Sequence, residues 1–392
     1  MSEAGGRGSA REVFAAFVPL GLTSFGGPVA HLGYFRTAFV ERRGWLSDAA
    51  YADLVALCQF LPGPASSQVG MAIGLQRAGL AGLFAAWTAF TLPSAIVLAA
   101  FGLLIAHLGI VEGAGWLAGL KATAVAVVAH ALYGMARSLA ATREKATIAG
   151  LAAIIVLLAP DKAIAQLAAI ALGAIAGLAL SETPPSAAGS SAAPVRRRTG
   201  ILALFLFALL LLGLPLLASL SPALDLLDRT YRAGSLVFGG GHVVLPLLEG
   251  EFAGMVDPAT FLAGYGAAQA VPGPLFTFAA FLGAVAEPFG GVAGAAVALC
   301  GIFLPSMLLV LGVMPFWEDL RRRPLARRAL AGVNAAVVGL LAAAFYDPVV
   351  TRGVPDAAAL AVAIAAFVAL AAWRLPPWLV VVASAAVGAA VL

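Results

Sequence analysis

Charge is what this 392-residue chain has least of: Asp, Glu, Lys and Arg make up 11% of it, against 62% hydrophobic residues. Soluble globular domains carry roughly 25% charged residues, so two or three water-soluble domains, the usual content of this length, are excluded. Cysteine is scarce as well. Cys58 and Cys300 are the only two, too few for a disulfide-stapled secreted scaffold. No cluster of His, Cys, Asp and Glu has metal-ligand spacing, and no Walker or Rossmann pattern occurs; Gly239–Gly241 lacks the lysine and the strand–helix setting of a nucleotide loop. No metal, no cofactor and no enzymatic role are therefore expected. Nucleic-acid binding goes too, because a sequence pI of 9.3 in so apolar a chain reports arginine-rich loops on the cytoplasmic side of a membrane. A cleaved signal peptide is not expected: Arg7 and Arg11 precede an apolar run, but Pro19, Gly21 and Gly26 interrupt it and the hydrophobicity continues past them.

What is abundant is apolar sequence in long runs. Ile201–Leu217 and Ala357–Trp373 approach the length that spans a bilayer core, and segments immersed in lipid must be helical, since a lone strand leaves its backbone groups unpaired. The expected fold is an all-α integral membrane protein. Apolar segments fall at 13–40, 53–76, 80–109, 113–136, 146–160 and 162–180, then at 201–220, 228–253, 261–286, 290–317, 329–350, 355–373 and 376–392. Residues 1–12 form a cytoplasmic tail, 13–180 a first repeat, 181–200 a polar cytoplasmic linker closed by Arg196-Arg197-Arg198, 201–220 a connecting helix, and 228–392 a second repeat.

The repetition is explicit. Phe25-Gly26-Gly27 recurs as Phe238-Gly239-Gly240, Gln59-Phe60-Leu61-Pro62-Gly63-Pro64 as Gln269-Ala270-Val271-Pro272-Gly273-Pro274, Leu92-Pro93-Ser94 as Leu304-Pro305-Ser306, and Gly119-Leu120-Lys121-Ala122 as Gly332-Val333-Asn334-Ala335. Four signatures keep one order at offsets of 210 to 213 residues. Six segments return a chain to its starting side, so the single helix 201–220 inverts the second unit against the first. The basic residues Arg7, Arg11, Arg42, Arg43, Arg77, Arg137, Arg143, Lys145, Arg196–Arg198, Arg321–Arg323, Arg327 and Arg328 then fall inside, and Glu249, Glu251, Asp257 and Glu287 outside. This holds when the first two segments of each unit are broken or re-entrant at their Gly-Gly and Pro-Gly-Pro sequences. Inverted repeats with broken helices are the architecture of many secondary transporters, which bind substrate between the halves.

The breaks are where chemistry is expected. Consecutive glycines at Gly26-Gly27 and Gly239-Gly240-Gly241 unwind a helix, which lipid tolerates only where the freed backbone lines a cavity or packs on protein. Pro62-Gly63-Pro64 and Pro272-Gly273-Pro274 stop a helix and restart it, presenting free N–H groups and the positive dipole end to an anion. Ser66, Ser67 and Gln68 after the first restart and Thr277 after the second are candidate neutral donors, as are Gln59 and Gln269 just before the breaks. The alternative for each break is a packing kink. Lys121 lies inside an apolar span and its repeat mate is the neutral Asn334; it either faces a bound anion or snorkels to the interface. His31 and His242, beside the glycine breaks, are the candidates for proton coupling, ahead of His107 and His130.

The stretches FGGPVAHL, ERRGWLS, LCQFLPGPASSQ and LPS, then FGGGHVVLPLLE and GYGAAQAVPGPLFTFAAFLG, strongly resemble the chromate transporter family, and within it the long-chain members in which two homologous halves are fused. The resemblance covers about residues 13–350 and weakens in the linker and the last two helices. It implies a multi-pass carrier of the bacterial inner membrane, N-terminus cytoplasmic, that exports chromate, driven by the membrane potential or a proton gradient, and confers chromate resistance. Sulfate, a near-isosteric dianion, is the alternative cargo, and a homodimer is an assembly open to such a chain. From the residues alone, an anion channel with the breaks as its filter is the competing class, and a membrane enzyme acting on the oxyanion has no redox site or paired cysteines to support it.

Overall fold

The computed structural model describes residues 8–25, 27–108, 115–159, 162–180, 195–238, 244–321 and 323–392, and among them there is helix and turn but no strand. The first half runs α1 (Ala10–Thr23), α2 (Gly27–Arg36), α3 (Asp48–Phe60), α4 (Ala65–Leu108), α5 (Gly115–Leu139), α6 (Arg143–Leu158) and α7 (Lys162–Gly177). A connecting helix, α8 (Arg197–Leu217), follows, and then α9 (Pro222–Leu236), α10 (Val244–Phe252), α11 (Pro258–Ala268), α12 (Phe278–Val285), α13 (Gly291–Val313), α14 (Trp317–Arg321), α15 (Pro324–Ala344), α16 (Thr351–Gly353), α17 (Ala357–Ala371) and α18 (Pro377–Val391). Short polar residues fix several starts: the hydroxyls of Ser9 and Ser47 and the carboxylate of Asp257 accept from N–H groups of the first turns of α1, α3 and α11.

The apolar segments do not all become spanning helices. Five helices among the described residues are long and apolar enough to cross a bilayer, and Ile164–Gly177, Leu275–Val285, Ala357–Ala371 and Pro377–Val391 are too short. The connecting helix also begins at Arg197, upstream of the apolar run that marks it in the sequence. Where the chain is short it forms hairpins. Arg77 pairs with Glu12 at 2.9 Å, Gly8 N–H donates to Arg77 O at 3.0 Å, and the Arg77 and Arg43 guanidinium groups lie over the Trp45 ring at 5.1 and 6.0 Å. The beginning of α1, the end of the α2 arm and Arg77 therefore gather at one end, while Ser24, His31 and Ser66 meet at depth. α1 with α2, and α3 with the first arm of α4, are two helical hairpins lying side by side.

α4 itself doubles back. Ala78 and Gly79 leave helical geometry, Gly79 at φ 64°, and a Cβ on Gly74 or Gly82 would strike the other's carbonyl. Backbones eight residues apart in a straight helix are about 12 Å apart, so contact requires reversal. Gly283 and Gly294 touch in the same way around Gly291, φ 70°. The second arm of α4, residues 80–108, keeps about 43 Å of length.

The last helices of each half cover the other half. α5 packs on α17 and α18, and α15 on α6 and α7. The contacts are backbone to backbone through small residues: Gly115 with Gly388, Gly119 with Ser384, Gly173 and Gly177 with Gly332, and Gly339 with Ala149. Outside this core α8 leans on α13 and leaves Ile201, Leu202, Phe205, Leu212 and Leu216 exposed, as a lipid-facing helix does.

Candidate functional site

The hairpin tips of the two halves dock on each other. Gly63 N–H donates to Val237 O at 2.6 Å, and Gly273 N–H donates to Ser24 O at 2.9 Å. Val237 and Ser24 are the residues just before Phe238 and Phe25, so each Pro-Gly-Pro turn is tied to the glycine break of the opposite half. Proline has no N–H, which makes the central glycine the only backbone donor of each turn, and it is committed. Gly63 and Gly273 sit at φ 116° and 101°, a region L side chains avoid. Behind Gly63 lie Ser306 Oγ and Gln68 Nε2; behind Gly273 lie Ser94 Oγ at 2.9 Å and Phe90 O at 3.3 Å from an added Cβ. The Leu-Pro-Ser repeats, legible in sequence only as a duplicated signature, thus supply the serine that backs each glycine. Gln68 Nε2 donates to Pro62 O at 2.6 Å and to Ser306 Oγ at 3.3 Å.

His31 joins the two tips of the first half. Its Nε2 lies 3.1 Å from Ser24 O and its Nδ1 3.2 Å from Ser66 Oγ, and its ring meets Phe90 edge-on at 5.3 Å. A carbonyl only accepts, so Nε2 carries the proton and Nδ1 accepts from the Ser66 hydroxyl. Ser24 O consequently receives both Gly273 N–H and His31 Nε2–H. With both ring nitrogens engaged and 1% of its surface exposed, His31 acts as a pin. His31→Ala should lower stability by about 1–3 kcal/mol, the cost of stranding buried polar partners, and His31→Asn should recover part of it; thermal unfolding in detergent reads both.

A cavity of about 510 Å³ opens beside the docked tips, with Ser24, Gly27, Gln269 and Gly273 in its wall together with His130 of α5 and Arg374 of the α17–α18 turn. Ser24 Oγ is buried with no partner among the described residues. A side-chain hydrogen bond with Tyr265 holds one end of the Gln269 amide, and its buried Nε2 has no partner among the described residues. Ser67 Oγ, Gln68 Oε1 and, on α15, Asn334 Oδ1 are also buried without a partner among the described residues, and none of the three residues lines the cavity. Thr277 is not a free donor, for its hydroxyl gives its proton to Pro274 O at 2.7 Å. Gln59 is exposed at the end of α3. Lys121 is half-buried on α5, with its carbonyl against Gly353, and does not line this cavity. Gly26, Gly239, Gly240, Gly241 and His242 lie outside the described residues. His130 ranks in the sequence only behind His31 and His242, and Ser24 and Arg374 carry no signal there: a serine before a glycine pair and an arginine between two apolar runs look like ordinary loop chemistry.

Broken helices, docked tips and buried donors around a cavity define a multi-pass helical membrane protein with a polar interior site. The sequence profile described as "Chromate transporter" matches residues 11–178 and 224–389. The chain belongs to the chromate transporter family. It is 29% identical over 361 residues to the chromate transport protein of Pseudomonas aeruginosa, covering 86% of this chain and 80% of that one. It is 26% identical to the chromate transport protein of Cupriavidus metallidurans (85% and 81% covered) and 25% identical to an uncharacterized transporter of Methanocaldococcus jannaschii (86% and 83%). No solved structure matches.

Proposed function

We propose that this protein is a secondary active carrier that exports chromate across the bacterial inner membrane, with its substrate site at the docked tips. The observation that carries the reading is the reciprocal pair of backbone bonds, Gly63 to Val237 and Gly273 to Ser24, beside a cavity walled by unpartnered donors. A tetrahedral dianion in a low-dielectric site needs several donors. Neutral ones hold it without the tight grip of many fixed charges, as a carrier that must release its ion requires. Substrate at the interface of two halves is the arrangement of inverted-repeat transporters, and the chromate transport proteins among the relatives support chromate as the cargo.

The inversion is supported by where chain ends meet. The second arm of α4 leaves the Arg77 end and brings Ile105 and Ala106 beside Glu249, Asp257 and Glu287. α13 leaves Gly291, next to that acidic end, and delivers Trp317, whose Nε1 donates to Asp53 Oδ1 at 3.1 Å, to the first. Arg42, Arg43 and Arg77 put the first end in the cytoplasm. Thiol labelling of Arg43→Cys and Ala253→Cys should find them on opposite faces; equal access from one side would sink the inversion. Uptake of labelled chromate into inverted vesicles tests the function itself. It should saturate, need an imposed gradient, and be inhibited by sulfate. Non-saturating flux without a gradient would favour a channel. Lys121→Gln should shift half-saturation less than about twofold, since snorkelling charges contribute little.

A further inference from the structure

Among the described residues, the cavity at the docked tips has one Lys, Arg, Asp or Glu in its wall, and it is Arg374. We propose that Arg374 is the anion-capturing, charge-selecting residue of the carrier, presenting a guanidinium at the rim to a tetrahedral oxyanion whose remaining oxygens reach Ser24 and Gln269. This rests on the carrier reading above and adds to it the source of the positive charge, which Lys121, away from the cavity, does not supply.

Three features single out Arg374. First, it is exposed while Ser24 and the Gln269 Nε2 deeper in the wall are buried, so an entering anion meets charge before it meets neutral donors. No Asp or Glu shares the wall among the described residues. Second, it is uncommitted: Arg374 has no ion pair among the described residues, and of the arginines so placed it is the one that lines this cavity. Third, its backbone is held where glycine belongs. Leu375 N–H donates back to Ala369 O at 3.0 Å, closing a helix cap that usually has glycine in the left-handed position, and Arg374 fills it at φ 53°. Every other positive-φ residue described is a glycine. A non-glycine held in this region beside a cavity is a pointer to function.

The chemistry fits. A guanidinium stays charged at any physiological pH and offers paired N–H donors to two oxygens of one dianion.

The test uses the full-length protein in proteoliposomes with Cys58→Ala and Cys300→Ala. Arg374→Cys should raise the half-saturating chromate concentration about tenfold or more at low salt and flatten its salt dependence, as loss of a steering charge does. Thiol modification that restores an ammonium group should recover affinity, modification that adds a sulfonate should not, and sulfate should slow both reactions. Arg374→Lys should stay within about threefold of the parent and Arg374→Gln should not. Unchanged half-saturation, equal recovery by both reagents, or a thiol reached only by lipid-soluble reagents and unprotected by sulfate would overturn the proposal; the last would assign Arg374 to lipid phosphate. If the parent protein fails to move chromate while sulfate still protects the thiol, the carrier reading falls and the anion site stands.

Discussion

Gly63→Ala should abolish chromate uptake while the protein still reaches the membrane. A Cβ at φ 116° is strained at any size, at about 1–2 kcal/mol, and here it also meets Ser306 Oγ and Gln68 Nε2. Relief by moving the turn breaks the 2.6 Å bond to Val237 O, worth about 1 kcal/mol. The sum, about 2–3 kcal/mol, falls on the contact between the halves, so transport fails before folding does. Gly63→Ala with Ser306→Ala should recover part of the rate, because the serine oxygen is gone and its Cβ lies 3.6 Å away. Gly273→Ala should be milder, since its nearest neighbours are at 2.9 and 3.3 Å. Initial uptake rates at matched membrane abundance rank the variants, and a normal rate for Gly63→Ala would return the turn to a packing role.

The second large effect is on folding. Gly82→Leu should destabilise the protein by about 3 kcal/mol or more, because its Cβ collides with the Gly74 carbonyl across the reversal of α4, and a backbone atom does not swing aside as a side chain does. Gly82→Ala should show a smaller loss of the same kind. Gly150→Leu, on α6 where nothing lies within 4 Å, is the control and should stay within about 0.5 kcal/mol. Thermal unfolding in detergent orders the three; equal midpoints would mean that the two arms do not touch.

Much of this was legible in the chain itself. Glycine pairs and Pro-Gly-Pro turns mark breaks because their backbone chemistry is local, and Arg77 between two apolar runs marks the place where α4 reverses. Gly63 and Gly273 stand out in the sequence for the same reason. Their partners were not, because a bond from Gly273 to Ser24 joins residues brought together only by packing. Thr277 looked like a free donor, and one rotamer turns its hydroxyl onto Pro274 O. Lys121 drew attention as a charge in an apolar run, a one-dimensional signal blind to which side of α5 the cavity lies on. Arg374 escaped for the converse reason: it falls between apolar runs and reads as a loop.

The exchange of α5 and α15 between halves sets a timetable for biosynthesis. α5 is made with its glycine face ready for α17 and α18, which lie some 240 residues further along the chain. At 5–20 residues per second that wait is on the order of 10 to 50 s, during which Gly115 and Gly119 lie bare in the lipid. Arrest of synthesis at the linker would leave a fragment with an open seam, the kind of surface membrane quality control recognises. Severing the chain at the linker should therefore give two pieces that persist only when made together.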